Sequence, residues 1–245
     1  MDDLNAFEDC LIEQFRQHPV LVNLDTLSDA GFAGVLLQRR FISLAFTPAY
    51  DLAIDLLRDN VVVRIARLIL REEYPDSRGY TPSHREDMRD DMFALGITRQ
   101  EFAQTRPTPE TLDAITATMS LIADAGAHEH ADLRLLTILR FWGEVLVSVE
   151  YGQLWRRMQP HLVVDGVSRS RFYYPHHIHD AKAHPISSTS PLASTHSDRL
   201  GIRLSEMLTS AEHHASFREV EEQVLGLKTR FLDQFQPLLS HAHSR

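Results

Sequence analysis

The sequence has a single cysteine, Cys10, in 245 residues. One thiol cannot close a disulfide within the chain or build a thiolate zinc site, so disulfide scaffolds and zinc ribbons are excluded. Cys10 falls in an apolar-periodic stretch and is expected to be a buried structural thiol. Long apolar runs are missing as well. No stretch reaches the roughly 18 residues a membrane span needs, so no membrane association is expected. Basic residues are in deficit, with Lys+Arg 25 against Asp+Glu 34 and a formal net charge of -9. Nucleic-acid binding requires a clustered basic face, which this balance argues against. The short runs Arg39-Arg40 and Arg156-Arg157 are expected on solvated helix faces. Alternating segments longer than about four residues are absent, which leaves little room for a sheet. The start, Met1-Asp2-Asp3, lacks the basic residues and apolar core of a signal peptide, and a cytoplasmic location is the expectation.

What the chain does have is helical periodicity. Leu4, Phe7, Leu11 and Phe15 recur at steps of three and four, and Phe32, Val35, Leu36 and Ile42 form a second stripe opened by Asp25 or Thr26. Further helices are predicted from Asn60 to Tyr74, ended by Pro75, and from Ser83 to Leu95, capped by Gly96. Another runs from the Pro107–Pro109 stretch to about Ala125, and a long one from about His130 to Met158. The pattern then predicts a helix over Ser168 to His184, one from Ser197 or Asp198, and a last from Phe217 to Phe235. Residues 185–195 are rich in Ser and Pro and are expected to be a loop, a plain linker in preference to a lid. The sum is an all-α, single-domain helical bundle over 1–240, with 241–245 a frayed tail.

The chain is also rich in histidine, with 14, a residue whose neutral ring nitrogen ligates metals. Three places put carboxylates or imidazoles where a helix should be apolar. Glu73 continues the stripe of Ala66 and Ile69, with Glu72 the runner-up, and His84 follows eleven residues later in the first turn of the next helix. Glu144 lies in FWGEVLVSV, where only Ser148 is otherwise polar. A carboxylate there must be paired, protonated or metal-bound, because an isolated buried charge costs several kcal/mol or more. A salt bridge to an arginine is the structural alternative, and Glu150 is a weaker candidate on another face. PHHIHDAKAHP then supplies His176, His177, His179, Asp180 and His184. Either His176 or His177 shares a helix face with Asp180 and His184. Carboxylates and imidazoles without thiolate suit iron, manganese or zinc, and this many ligands on four helices suits two ions.

These motifs, LILREEYPDSRGYTPSHREDMRDDMFALGI, FWGEVLVSVEYGQLWRRM and FYYPHHIHDAKAHP, resemble the haem-oxygenase-like diiron oxidases and oxygenases. That family shares its helical scaffold with thiaminase-type and haem-oxygenase proteins. The resemblance implies that Glu73, His84 and His176 hold one iron, and that Glu144, Asp180 and His184 hold the other. The gap from Asp180 to His184 is one residue longer than the family's, since Ala183 stands at the expected position; His177 in place of His176, or a local bulge, would absorb it. By resemblance, two Fe(2+) ions and O2 oxidise a small substrate, amino-acid or fatty-acid derived, by desaturation, C–C cleavage or N-oxygenation. It also leaves a homodimer open. Phe141, Trp142, Tyr151 and Tyr173 are candidate pocket residues, each equally at home in a core, and Arg140 is assigned to a structural ion pair ahead of a substrate carboxylate. The alternatives are a thiaminase-like or cofactorless enzyme on the same scaffold, or a non-catalytic helical protein that binds metal.

Overall fold

The computed structural model describes residues 1–75, 78, 80–186 and 195–240. The expected tail at 241–245 and most of the Ser/Pro loop, 187–194, lie outside them. Among the described residues the chain is all-α apart from one hairpin of two two-residue strands. The helices are α1 (Asp2–Arg16), α2 (Pro19–Val22), α3 (Asp29–Leu44), α4 (Phe46–Leu56), α5 (Asn60–Glu72), α6 (His84–Ala94) and α7 (Arg99–Gln104). After these come α8 (Pro109–Ala127), α9 (Ala131–Arg140) and α10 (Leu146–Leu162), the last two joined by a π-helical segment over Phe141–Val145. The hairpin β1 (Val163–Val164) and β2 (Val167–Ser168) turns through Asp165 and Gly166, both at positive φ. Then follow α11 (Tyr173–His179), α12 (His196–Met207), α13 (Ala211–Asp233) and α14 (Gln236–Ser240).

Local chemistry explains most boundaries. Ser83 and Thr98 open α6 and α7 with reciprocal capping boxes to Glu86 and Glu101. Asp59 caps α5, Thr108 caps α8 just before Pro109, and Thr195 caps α12. Ser28, not Asp25 or Thr26, caps α3. Leu95 ends α6, and Gly96 reverses the chain with φ 92°, a conformation costly for any residue with a Cβ.

The α9–π–α10 rod runs through the centre of the bundle. From Leu133 to Ser148 every side chain on it is buried, because α13, α8, α12 and α1 pack around it. One continuous apolar cluster links Leu4 and Phe15 of α1 to Phe217 and Phe231 of α13. Full burial of each such side chain contributes about 1.5–3 kcal/mol.

Three sequence expectations fail here. Cys10 is exposed, on the outer side of α1. Arg39 and Arg40 are buried, because α3 packs against α8, α4 and α6 and their guanidinium groups find Glu150 and the Phe102 carbonyl. The helix expected over Ser168–His184 is confined to Tyr173–His179. Asp91 of α6 ties down the chain entering it, accepting from the Phe172 N–H and the Ser170 hydroxyl, and Asp180 is already its C-cap. No helix among the described residues is long and apolar enough to cross a membrane.

Candidate metal centre

Two groups of three ligating side chains face one cleft. In each, one donor atom per residue lies within 4.8 Å of the others. The first group is Glu73, His84 and His176. Glu73 is the C-cap of α5, where the helix stripe it continues turns inward, and His84 opens α6 across the connection. The His84 ring donates through Nδ1 to Glu73 Oε1 at 2.9 Å. Burial works against a charged His84, but Glu73 outweighs it and raises the ring's pKa. The His176 ring lies edge-on to His84, with centroids 4.6 Å apart. Its Nδ1 donates to the Phe172 carbonyl at 2.6 Å, which fixes the tautomer and leaves Nε2 as a lone pair. Burial lowers the His176 pKa, so that lone pair is kept.

The second group is Glu144, Asp180 and His196, all buried. Glu144 stands in the π-helical segment, a distortion common at functional sites because one extra residue per turn re-aims a side chain. Tyr50 donates a short hydrogen bond to its carboxylate. Gly143 makes that approach possible, since a Cβ there would be 3.0 Å from the Tyr50 ring. Asp180 closes α11 and hydrogen-bonds through its N–H to the His176 carbonyl, so the two groups are joined across one helical turn. His196 opens α12, with Nδ1 3.3 Å from Glu144 and 3.4 Å from Asp180, and Nε2 3.3 Å from Glu72. Burial and Asp180 push Glu144 up to about 7, against the pull of His196 and Tyr50. Burial opposes a charged His196, but Asp180 and Glu144 lift it to about 10, while the His179 and His196 rings hold Asp180 below its usual range despite its burial.

The donor set fits metal. Glu144 and Asp180 are 1% and 2% exposed, and no lysine or arginine pairs with either among the described residues. The charge that balances them is a titratable proton on His196, which a cation can displace. Three carboxylates and three imidazoles with no thiolate match iron, manganese or zinc. A ring nitrogen toward the carboxylates and the other toward Glu72 is the arrangement that orients a metal-ligating histidine. The cleft is partly open to solvent. Ile42, Phe46, Ile69, Trp142 and Tyr151 make its walls apolar; Phe141 and Tyr173, expected beside them, do not line it.

The structure therefore brings together Glu73, His84, Glu144, His176 and Asp180, and it leaves out two predicted residues. His177 is turned onto α10, where its Nδ1 donates to the Ser148 carbonyl at 3.1 Å. Gly152 makes room for it, since a Cβ there would come within 2.6 Å of the ring. His184 lies beyond the end of α11, so helical periodicity no longer governs it. Its Nδ1 pairs with Asp198 at 2.6 Å, and its N–H with the same carboxylate at 3.1 Å. The place assigned to His184 is taken by His196. The sequence signal for His196 was weak: a histidine directly after the N-cap Thr195 of a helix, beyond the expected linker. The structural alternative for Glu144, an arginine salt bridge, is not what is found; Glu150 makes such a bridge with Arg39 instead, at 2.8 Å.

No known sequence family matches the chain, and no curated protein matches it in sequence. Solved structures do. A CADD-like protein from Nostoc punctiforme superposes with a TM-score of 0.67 at 15% identity, over 100% of both chains. A domain from Shewanella denitrificans with a haem-oxygenase-like fold gives 0.66 at 17% identity, over 99% of this chain and 93% of that one. This chain has a haem-oxygenase-like fold. A TenA homologue from Pseudomonas syringae pv. tomato aligns over 96% of this chain and 91% of its own, with a TM-score of 0.64 at 10% identity. At such identities the likeness extends to the haem-oxygenase-like scaffold alone, and chemistry has to be argued from the site.

Proposed function

We propose that this chain is a non-haem iron oxidoreductase that binds two Fe(2+) ions and uses O2 to oxidise a small substrate. One observation carries the reading: six ligating side chains from five separate segments converge on one cleft as two triads, with no lysine or arginine paired to Glu144 or Asp180 among the described residues. Two bound ferrous ions would supply the electrons that convert O2 into an oxidant. Glu73, His84 and His176 would hold one, and Glu144, Asp180 and His196 the other. Three protein ligands for each ion would leave room for O2 and substrate to bind.

The protein's own contribution is orientation and charge. The Phe172 carbonyl holds the His176 ring in the tautomer that presents Nε2, and Glu72 steers His196. The Tyr50 hydroxyl donates to Glu144 Oε1 and favours the ionised carboxylate that a metal ion would need. The apolar walls exclude water from the reacting end of the cleft.

Anaerobic ferrous titration, followed by exposure to air with an oxygen electrode, tests this. Uptake of about two ions per chain and rapid O2 consumption are expected, both reduced in Glu144→Ala, Asp180→Ala and His196→Ala. His184→Ala and His177→Ala should keep full uptake. Tight binding of a single zinc with no O2 consumption would favour a non-catalytic metal protein, and unchanged uptake in the first three variants would remove the proposal.

A further inference from the structure

Two ligands of the second triad sit on helix ends that are tied to each other beside the site. Asp180 closes α11 and His196 opens α12. The carbonyl of Ala181, directly after Asp180, accepts from the hydroxyl of Ser197, directly after His196, at 2.7 Å. Asp198 comes next. Its Oδ2 accepts from His184 Nδ1 at 2.6 Å, and its Oδ1 accepts from the His184 N–H at 3.1 Å. Ser197 and Asp198 are both buried. Beyond His184 the chain is fastened to α1, where the Ile186 N–H donates to Asn5 Oδ1 at 2.7 Å.

The Asp198 carboxylate is not needed to cap α12. Thr195 does that, its hydroxyl accepting from the Asp198 N–H at 3.2 Å. The carboxylate is instead turned onto the segment that leaves Asp180, where it holds both the ring and the backbone of one residue. Its side chain is 3% exposed, and an acid so buried destabilises the fold unless it is paired. The pair also lies where the triad needs support. Glu144 and Asp180 are both within 3.4 Å of His196 Nδ1, and when ionised they repel each other. The backbones carrying Asp180 and His196 are held together from behind by the three bonds to Ala181 and His184.

We infer that His184 and Asp198 form a clasp that positions the second triad: His184 binds no metal itself, but it sets the affinity of the second ion by holding Asp180 and His196 in register. The inference rests on the two-ion reading of the site. Ligands held in place before the metal arrives lose little freedom on binding, whereas ligands that the metal must order bind it more weakly. Supporting partners of metal ligands are worth about 10–100-fold in affinity. The first triad is fixed by other bonds, His84 to Glu73 and His176 to the Phe172 carbonyl, and does not depend on the clasp.

Anaerobic calorimetric titration of the full-length chain with ferrous ion reads the two ions separately, with Glu73→Ala and Asp180→Ala showing which binding event belongs to which triad. His184→Ala should still take up both ions, the first-triad ion with unchanged affinity and the second about tenfold or more weaker. Asp198→Ala should give the same loss, and the double variant no more than either alone. His184→Asn should recover most of the affinity, because its amide can donate to Asp198 from near the position of Nδ1 and offers no imidazole. Thermal melts establish that each variant is folded, and the His184 variants, at a partly exposed position, carry the test if Asp198→Ala is not. Loss of the second ion in both His184→Ala and His184→Asn would make His184 a ligand and overturns the inference. So does an unchanged second ion in His184→Ala, or an equal weakening of both ions. A wild type that takes up fewer than two ions removes the two-ion reading and this inference together, a result distinct from all the others.

Discussion

Two buried, acid-rich clusters are built on the central rod, and they differ in one respect. Around Arg140, the side chains of Glu8 and Glu221 are fully buried, and the guanidinium is bonded to Glu8, with Lys182 2.5 Å from the same carboxylate. Around His196, Glu144 and Asp180 are as deeply buried, but the positive partner is an imidazole whose charge depends on a proton. A permanent cation makes the first cluster a structural element. Its absence makes the second a place where a metal ion can bind. Burial of carboxylates alone does not separate the two cases; the nature of the neutralising group does.

The comparison can be broken most directly at Arg140. Arg140→Met takes the guanidinium from between Glu8 and Glu221, leaving Glu8 with Lys182 alone, and should cost about 3–5 kcal/mol, a fall of roughly 10 °C in Tm for a chain of this length. In metal-free protein, the double variant Glu144→Gln, Asp180→Asn should melt at or above the wild type, because it removes buried charge that nothing permanent neutralises. If the two variants lose stability equally, the distinction between the clusters fails.

Ferrous ion should then sharpen the contrast. At free metal about a hundredfold above the dissociation constant, each site adds about 2.7 kcal/mol. The wild type and Arg140→Met should both gain in Tm from two sites, the double variant only from the Glu73, His84 and His176 site, and a chelator should reverse the gain.

The smallest effect is at Glu221, whose carboxyl oxygens are buried and whose nearest Arg140 nitrogen is 3.9 Å away. Burial, with the Glu8 carboxylate, raises its pKa well above the usual range. A group raised on folding holds more protons in the folded state, so its stabilisation is complete below its unfolded pKa and is lost as pH rises through the folded value. Glu221→Gln carries no such loss. Urea melts from pH 5 to 8 should show the variant gaining on the wild type as pH rises, by up to about 1.4 kcal/mol per pH unit. Parallel curves would mean that Glu221 is ionised throughout.

Much of this was legible in the sequence where the governing physics is local. Apolar periodicity and capping residues gave α1, α5, α6 and α8, and the improbability of an unpaired carboxylate in an apolar helix singled out Glu144. The reading failed where periodicity was carried past a helix end. His184 shares a face with Asp180 only if α11 continues, and α11 stops at His179. Arg39 and Arg40 looked solvated because a charge run gives no sign of the carboxylate and carbonyl that α10 and α7 bring to it. The π-helical segment left no mark in composition either, since its residues are as apolar as those on both sides.

The sequence by itself determined an all-helical chain, its main caps and five of the six converging side chains, because hydrogen bonding within a few residues and the cost of burying charge act on any copy of those segments. Only the tertiary structure decided that His196 completes the second triad and that His177 and His184 serve other partners. Those outcomes depend on which helices pack together, so that distant side chains either find a neutralising partner or are held in the interior without one.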